Sequence, residues 1–392
     1  VRSVALYTDS TRKVSGLGSL VAAVAPWNRA KRSWGEPVPS GGSAWPRATA
    51  AAAVARRGLR AVSCQAFVQE TEAERLALDK EARQSMEEHM KKVEDLAAEG
   101  NIRAQKTAWK WRVRKQIWDY LEDNDLADRP RPVHNRIPNF KGSGEAGARL
   151  AQLPEFLAAK VVKVNPDTPQ KSVRIAVMEQ NKVLYVPQPR LRTGFFSRLE
   201  PGSVPKSQFK YASTPGGMRE LAKAVETLTD KTKIDIVVIG SVAVNPENGA
   251  RVGKGEGFAE LEYGILRMLG QVDDSTPIIT CVHDCQVVTK NLPPAGMELM
   301  KHDVPVDIIV TPTRVIIVNP EKRYPKPTGI YWELLSKEKF DQIKVLQNLK
   351  KDIEKKTGQM IEIGTEVEAL PPLAKRGQGG KGGRGSDLNR KR

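Results

Sequence analysis

Apolar residues recur along this 392-residue chain with two different periods, and the changes of period mark its elements. Between residues 70 and 98, Leu76, Met86, Met90 and Leu96 fall on or near one stripe of a heavily charged stretch. This spacing predicts a helix, one that lies outside the core. Gly100 ends it, and a second helix is predicted over 106–122, with Trp109, Val113, Ile117 and Leu121 at four-residue steps as its buried face. Prolines and glycines between 123 and 147 predict a loop. Beyond it, short apolar and β-branched runs predict strands at 173–178, 183–186, 234–239, 277–282, 306–310 and 315–318. Helices are predicted between some of them, at 153–159, 218–228 and 258–269. Such alternation implies an α/β fold, a mostly parallel sheet covered by helices, with ligands gathering beyond the carboxyl ends of the strands. No internal repeat is found. After Ser336 a charged amphipathic helix is expected to about Lys356.

The two ends have a different composition. Residues 1–70 hold ten Lys and Arg against three acids, and residues 375–392 hold seven against one. Of the formal net charge of +17, only +4 is left for residues 71–374, so a basic nucleic-acid-binding surface is not implied for the body. The first segment is rich in Arg, Ser, Ala and Gly and contains no apolar run that could cross a membrane. It reads as a transit peptide, chloroplast preferred and mitochondrion the alternative. The tail KRGQGGKGGRGSDLNRKR has Leu388 as its one apolar residue and is expected to be disordered, with weak RNA contact as a minor alternative. The resulting division is a leader (1–70), a helical extension (71–104), an α/β domain (105–335), a C-terminal helix and linker (336–374) and a basic tail (375–392).

Chemistry concentrates in RVGKGEGFAELEY, Arg251 to Tyr263. Gly253, Gly255 and Gly257 stand between a predicted strand and a predicted helix, where main-chain amides can approach an anion closely and the helix start adds its positive dipole end. Arg251 and Lys254 add full charges. The spacing is neither that of the Walker loop nor that of the dinucleotide fingerprint, and a flexible turn with a solvated lysine is the plain alternative. Lys110 and Arg114, four apart on the second helix, project from one face and could reach a shared anion, or form a solvated basic side. Cys281-Val282-His283-Asp284-Cys285 contains zinc-ligand types, but no second Cys/His pair completes four ligands, so reduced cysteines beside a turn are expected. With three cysteines in all, a disulfide scaffold is excluded.

These separated pieces together resemble the 5-formyltetrahydrofolate cyclo-ligase (methenyltetrahydrofolate synthetase) family over about Lys110 to Val318. The family has a basic helix with Lys and Arg four apart, matched by Lys110 and Arg114, and an R-x-G-R/K-G-K-G-Y-Y-D loop, matched by Arg251 to Glu260. It also has a late strand with a Val-Asp pair, matched by Val306-Asp307. The resemblance implies a three-layer αβα fold of the NagB/RpiA/CoA-transferase type. It also implies a reaction in which ATP phosphorylates the formyl oxygen of 5-formyltetrahydrofolate, the neighbouring amine closes the ring and phosphate leaves. Carried across by position, Lys110, Arg114, Arg251, Gly253, Lys254, Gly255 and Gly257 hold ATP phosphates, while Glu260 and Asp307 hold Mg²⁺.

The chain departs from the family at Glu256 (usually Lys), at Phe258 and Ala259 (usually Tyr) and at Glu260 (usually Asp), and KVVKVN at 160–165 shows no folate-facing carboxylate. VPQPRLRTGFF, VVIGSVAV and VHDCQVV are similar to a divergent, cyclo-ligase-like branch. Animal members of that branch add an RNA-recognition domain, of which no aromatic motif occurs here. Its plant members carry a plastid leader and are associated with thiamine metabolism. The expected partner is a small molecule, a folate or another phosphorylated metabolite, with no membrane or nucleic acid. Three functions follow as expectations: a cyclo-ligase-like protein, a non-catalytic nucleotide- or phosphate-binding protein of folate or thiamine metabolism, and, more weakly, an RNA-associated protein.

Overall fold

Val161-Val162-Lys163-Val164 forms the strand around which the sheet is laid, pairing in parallel with a neighbour on each side. The computed structural model describes residues 71–374 apart from 192–193 and 226–229. The expected leader and basic tail both lie outside the described residues. Among those described, the strands are β1 (Val161–Val164), β2 (Val183–Pro187), β3 (Phe196–Leu199), β4 (Lys223–Ala224), β5 (Ile236–Val238), β6 (Ala243–Val244), β7 (Arg251–Val252), β8 (Ile278–Cys281), β9 (Ile308–Val310) and β10 (Val315–Ile317). The helices are α1 (Glu72–Ala98), α2 (Ile102–Asp123), α3 (Ser143–Leu150), α4 (Pro154–Ala158), α5 (Lys171–Glu179), α6 (Phe209–Ala212), α7 (Pro215–Leu221), α8 (Phe258–Met268), α9 (Lys337–Asp341) and α10 (Lys344–Thr357).

Eight strands make one sheet in the order β10-β9-β8-β5-β1-β2-β3-β4, while β6 and β7 form a separate hairpin. The five central strands are parallel, and antiparallel strands finish both edges. Because successive side chains face opposite ways, each central strand feeds two cores. Val162, Val164, Leu184, Ile236, Val238, Ile279 and Val310 join the core shared with α2, α3 and α5. Tyr185, Val237, Ile278 and Ile309 join a second core with Tyr263, Ile265 and Leu266 of α8 and Leu346 and Leu349 of α10. Helices therefore cover both faces, and the fold is the expected three-layer α/β arrangement. Burial on both sides is also why these strands read as unbroken apolar runs.

Several expected elements differ. Residues 173–178 are not a strand but part of α5, whose buried Val173, Ala176 and Val177 sit at three- and four-residue steps with Lys171 and Ser172 ahead of them. Helical spacing there outweighs β-branched composition. The first strand is instead 161–164, where Lys163 interrupts the apolar pattern. The helix expected over 218–228 occupies Pro215–Leu221 and gives way to the edge strand β4. The single helix expected after Ser336 is two, α9 and α10.

The first helix is not outside the core. Thr71 and Glu74 close a reciprocal cap at its start, with Thr71 N donating to Glu74 Oε2 at 2.9 Å and Glu74 N to Thr71 Oγ1 at 3.2 Å. Its face of Ala82, Met86, His89 and Val93 is buried against α2, and Met86 is fully inaccessible. Leu76, assigned to the same stripe, lies beyond that contact and is 52% exposed. Trp109, Val113, Ile117 and Leu121 of α2 are all buried, as their spacing predicts. Met86→Ala is expected to lower stability by about 2–5 kcal/mol in denaturant unfolding, whereas Leu76→Ala should stay within about 0.5 kcal/mol of the parent.

Candidate functional site

Beyond the carboxyl end of β5 the chain makes the β6–β7 hairpin and returns through the glycine loop into α8. Arg251 pins this return. Its Nε and Nη2 donate to Gly240 O, at 3.0 and 2.8 Å, and its Nη1 donates to Glu260 Oε1 at 2.7 Å. One side chain thus joins the end of β5, the hairpin and the first turn of α8. Arg114 reaches the loop from α2, donating from Nε to Gly253 O at 2.7 Å, with its guanidinium 4.1 Å from the centre of the Trp111 ring. Gly255 lies beneath that ring at φ +97°, and a Cβ there would stand 2.5 Å from Trp111 Cη2. Both the backbone angle and the contact call for glycine.

Lys110, Arg114, Arg251, Gly253, Gly255, Gly257 and Glu260, named from the sequence, line one cavity of about 110 Å³. Gly257, on this wall, is the N-cap of α8 and supplies no capping side chain to its first turn. Lys254 is not on the cavity wall. It bonds Glu256 Oε2 at 2.9 Å; burial alone would lower its pKa, but Asp167 and Glu256 raise it. Asp307 is not beside Glu260. It sits where β8 and β9 begin, accepting from Ile278 N at 2.7 Å and pairing with Arg323 and, at 2.8 Å, with Lys326. The aspartate that shares the cavity with Glu260 is Asp303, which pairs with Lys110 and accepts from Met300 N at 2.7 Å. The sequence HDVPVD carries two aspartates four apart, and the earlier one faces the cleft.

Charge in this cleft is balanced with one cation over. Lys110, Arg114, Arg251 and Arg103 face Glu260, Asp303 and Glu368. Burial would raise the pKa of Glu260, yet Arg251 holds it below the usual carboxylate range, and Lys110 does the same for Asp303. Arg114 has no carboxylate at ion-pair distance among the described residues. Burial pushes its pKa down to about 9, opposed by Glu260 and Asp303, so it is a desolvated cation at neutral pH. Behind it, His89 stands edge-on to Trp111, with ring centres 4.3 Å apart.

A second buried pair lies deeper, where Lys163 Nζ of β1 donates to Glu262 Oε2 at 2.8 Å and to Asn165 Oδ1 at 2.6 Å. Burial raises the Glu262 pKa, and Lys163 opposes that rise. A second cavity, of about 190 Å³, opens at the carboxyl ends of β1 and β2, walled by Pro166, Val186, Pro187 and Met218 with Arg174 and Ser213. Arg174 is 2% exposed and, among the described residues, donates to the carbonyls of Ser213, Asn165 and Asp167. Asp167 lies against the turn after β5, its Oδ2 2.7 Å from the place a Cβ on Gly240 would take, and Gly240 O is held by Arg251.

Cys281 and Cys285 are free thiols, both with pKa pushed up to about 12 by burial, and no group of three or more metal-ligating side chains occurs among the described residues. No helix among them is long and apolar enough to cross a membrane.

A glycine loop feeding a helix start, met by a Lys/Arg helix at the carboxyl ends of a parallel sheet, defines a cyclo-ligase-type α/β protein. The chain belongs to the 5-formyltetrahydrofolate cyclo-ligase family, whose sequence profile matches residues 106–312. It is 46% identical over 261 residues to the methenyltetrahydrofolate synthase domain-containing protein of Mus musculus, covering 66% of this chain and 68% of that one. The Danio rerio protein of the same name is 46% identical over 255 residues (65% and 64%), and that of Homo sapiens 43% over 260 residues (66% and 66%). The chain thus spans about two thirds of the length of these curated relatives. The solved 5,10-methenyltetrahydrofolate synthetase of Aquifex aeolicus matches at 19% identity with a TM-score of 0.33, over 54% of this chain and 93% of that one.

Removing one partner of the Lys163–Glu262 pair strands a buried charge, so Lys163→Met should cost about 3–5 kcal/mol, with most of it recovered in Lys163→Met/Glu262→Leu. Both are read by denaturant unfolding. His89 has its pKa lowered from 6.5 to about 4 by burial, with Arg114 and Lys92 adding to the shift, and its Nε2 has no partner. The unfolded chain therefore binds the extra proton first, and stability should fall as pH drops from about 6.5 towards about 4. His89→Phe should flatten that part of the stability–pH curve.

Proposed function

We propose that this protein binds an anionic small molecule of the folate or nucleotide class, with the ligand's phosphate or carboxylate in the Arg114 cleft. The observation that carries this reading is the desolvated Arg114 beside the glycine loop, which has no carboxylate at ion-pair distance among the described residues: a negative group there would meet a guanidinium at the loop and helix start. The cleft's volume of about 110 Å³ suits one phosphate-sized group, since drug-sized ligands fill roughly 300–1,000 Å³. ATP is the ligand that the family's chemistry supports. Glu260 and Asp303 offer the hard oxygen donors that Mg²⁺ takes, and the ion, when bound, would screen phosphate charge.

Cyclo-ligase turnover is the second reading, favoured by those two carboxylates. Against it stands Glu256, which neutralises Lys254 and also approaches Arg190 at 3.5 Å. A plastid location and a role in thiamine metabolism are further proposals, drawn from the leader's composition and the branch resemblance.

Titration calorimetry with inorganic phosphate should show binding to the full chain, and Arg114→Met should weaken it by about 1.5–3 kcal/mol, the worth of a charged hydrogen bond. Equal affinity in the two proteins would remove the cleft as the anion site. Following methenyltetrahydrofolate absorbance with 5-formyltetrahydrofolate and MgATP decides between the readings: its appearance makes the protein an enzyme, and its absence alongside phosphate binding leaves the binding role.

A further inference from the structure

The cleft is closed by residues that lie outside the family match at 106–312. Val93 and Leu96 of α1 form one wall, and Val367, Glu368 and Ala369 form another. The latter belong to an extended segment, residues 359–374, that follows α10 and runs back across the cleft mouth. Gly364 N donates to Trp332 O at 3.2 Å, Asn101 Nδ2 donates to Val367 O at 3.0 Å, and Ser336 Oγ donates to Glu368 Oε2 at 2.7 Å. Glu368 also pairs with Arg103 at 3.7 Å. The approach at Gly364 is close, since a Cβ there would lie 2.5 Å from Glu333 O.

This segment is held by those polar tethers and by the half-buried Ala369, which packs against the core. None of its residues is buried, and Met360, Val367 and Leu373 are 84%, 55% and 60% exposed. Segments with few buried apolar contacts open at a small fraction of the global unfolding free energy. The glycine loop beneath is braced separately: Lys339 of α9 bonds Glu256 O and stands 4.6 Å from the centre of the Phe258 ring. The segment can therefore lift while the loop stays in place.

We propose that residues 359–374 are a strap that sets the size of the ligand the cleft admits. With the strap down, Glu368 occupies Arg103 and the space accepts an inorganic phosphate-sized anion. A whole nucleotide enters only when the Glu368–Arg103 and Asn101–Val367 contacts part. This inference rests on the anion-site reading above. Selection against the larger ligand follows from the fraction of molecules with the strap open, because apparent affinity is the intrinsic affinity multiplied by that fraction.

Two measurements on the full chain test it. In hydrogen–deuterium exchange, saturating MgATP should speed exchange across 359–374, and inorganic phosphate should leave it unchanged. In calorimetry, Glu368→Ala adds a net positive charge that tightens both ligands, and release of the strap should tighten MgATP by about tenfold beyond the gain seen for phosphate. An MgATP gain no larger than the phosphate gain, strap exchange unchanged or slowed by MgATP, or phosphate binding with no MgATP binding to either protein, would each overturn the strap proposal alone. Phosphate binding to neither protein would overturn the anion site and the strap with it.

Discussion

Arg251 is the interaction on which the candidate site depends. Its guanidinium spends two donors on the carbonyl at the end of β5 and a third on Glu260 in the first turn of α8, so the hairpin, the glycine loop and the helix start are fixed relative to the sheet by one buried side chain. A planar fork that stays charged when buried suits this task, whereas a lysine would provide a single point of attachment. The position of the loop amides and the bond from Arg114 to Gly253 both follow from that anchorage.

Around this pin the protein buries charge in closed pairs. Lys110 meets Asp303, Arg251 meets Glu260 and Lys163 meets Glu262. Buried pairs of this kind contribute little net stability, because desolvation offsets most of their attraction. Their effect is to hold the loop and the strand ends in register and to leave Arg114, among the described residues, as the cleft cation without a carboxylate at ion-pair distance. Where the family loop has a further lysine, Glu256 closes another internal pair with Lys254 and keeps that cation off the cavity wall.

Much of this was legible in the residues themselves. Trp109, Val113, Ile117 and Leu121 marked the buried face of α2, and Lys110 and Arg114 beside them marked the face that meets the loop. Local rules suffice for such features because spacing on one helix determines which side chains point together. The errors arose where tertiary context decides. Val173 to Met178 is β-branched enough to read as a strand, yet its burial repeats with helical period. The lysine in KVVKV obscured β1, because the carboxylate that pairs with its buried ammonium, Glu262, comes from 99 residues away. Asp307 is expected beside Glu260 from its Val-Asp pair, and only the course of the chain entering β9 shows that Asp303, four residues earlier, is the aspartate that faces the cleft. The strap had no signature at all: none of its residues is buried, and they acquire a role only from what they lie across.

The family match, 106–312, is not a folding boundary. Met86 of α1 and Leu346 of α10 are completely shielded from solvent, one in each core, and both lie outside that range. A recombinant fragment cut to the matched residues would bare the α1-facing side of α2 at one layer and leave α8 and the sheet uncovered at the other. The shared region specifies where the chemistry can be placed; independent solubility requires the helices on either side.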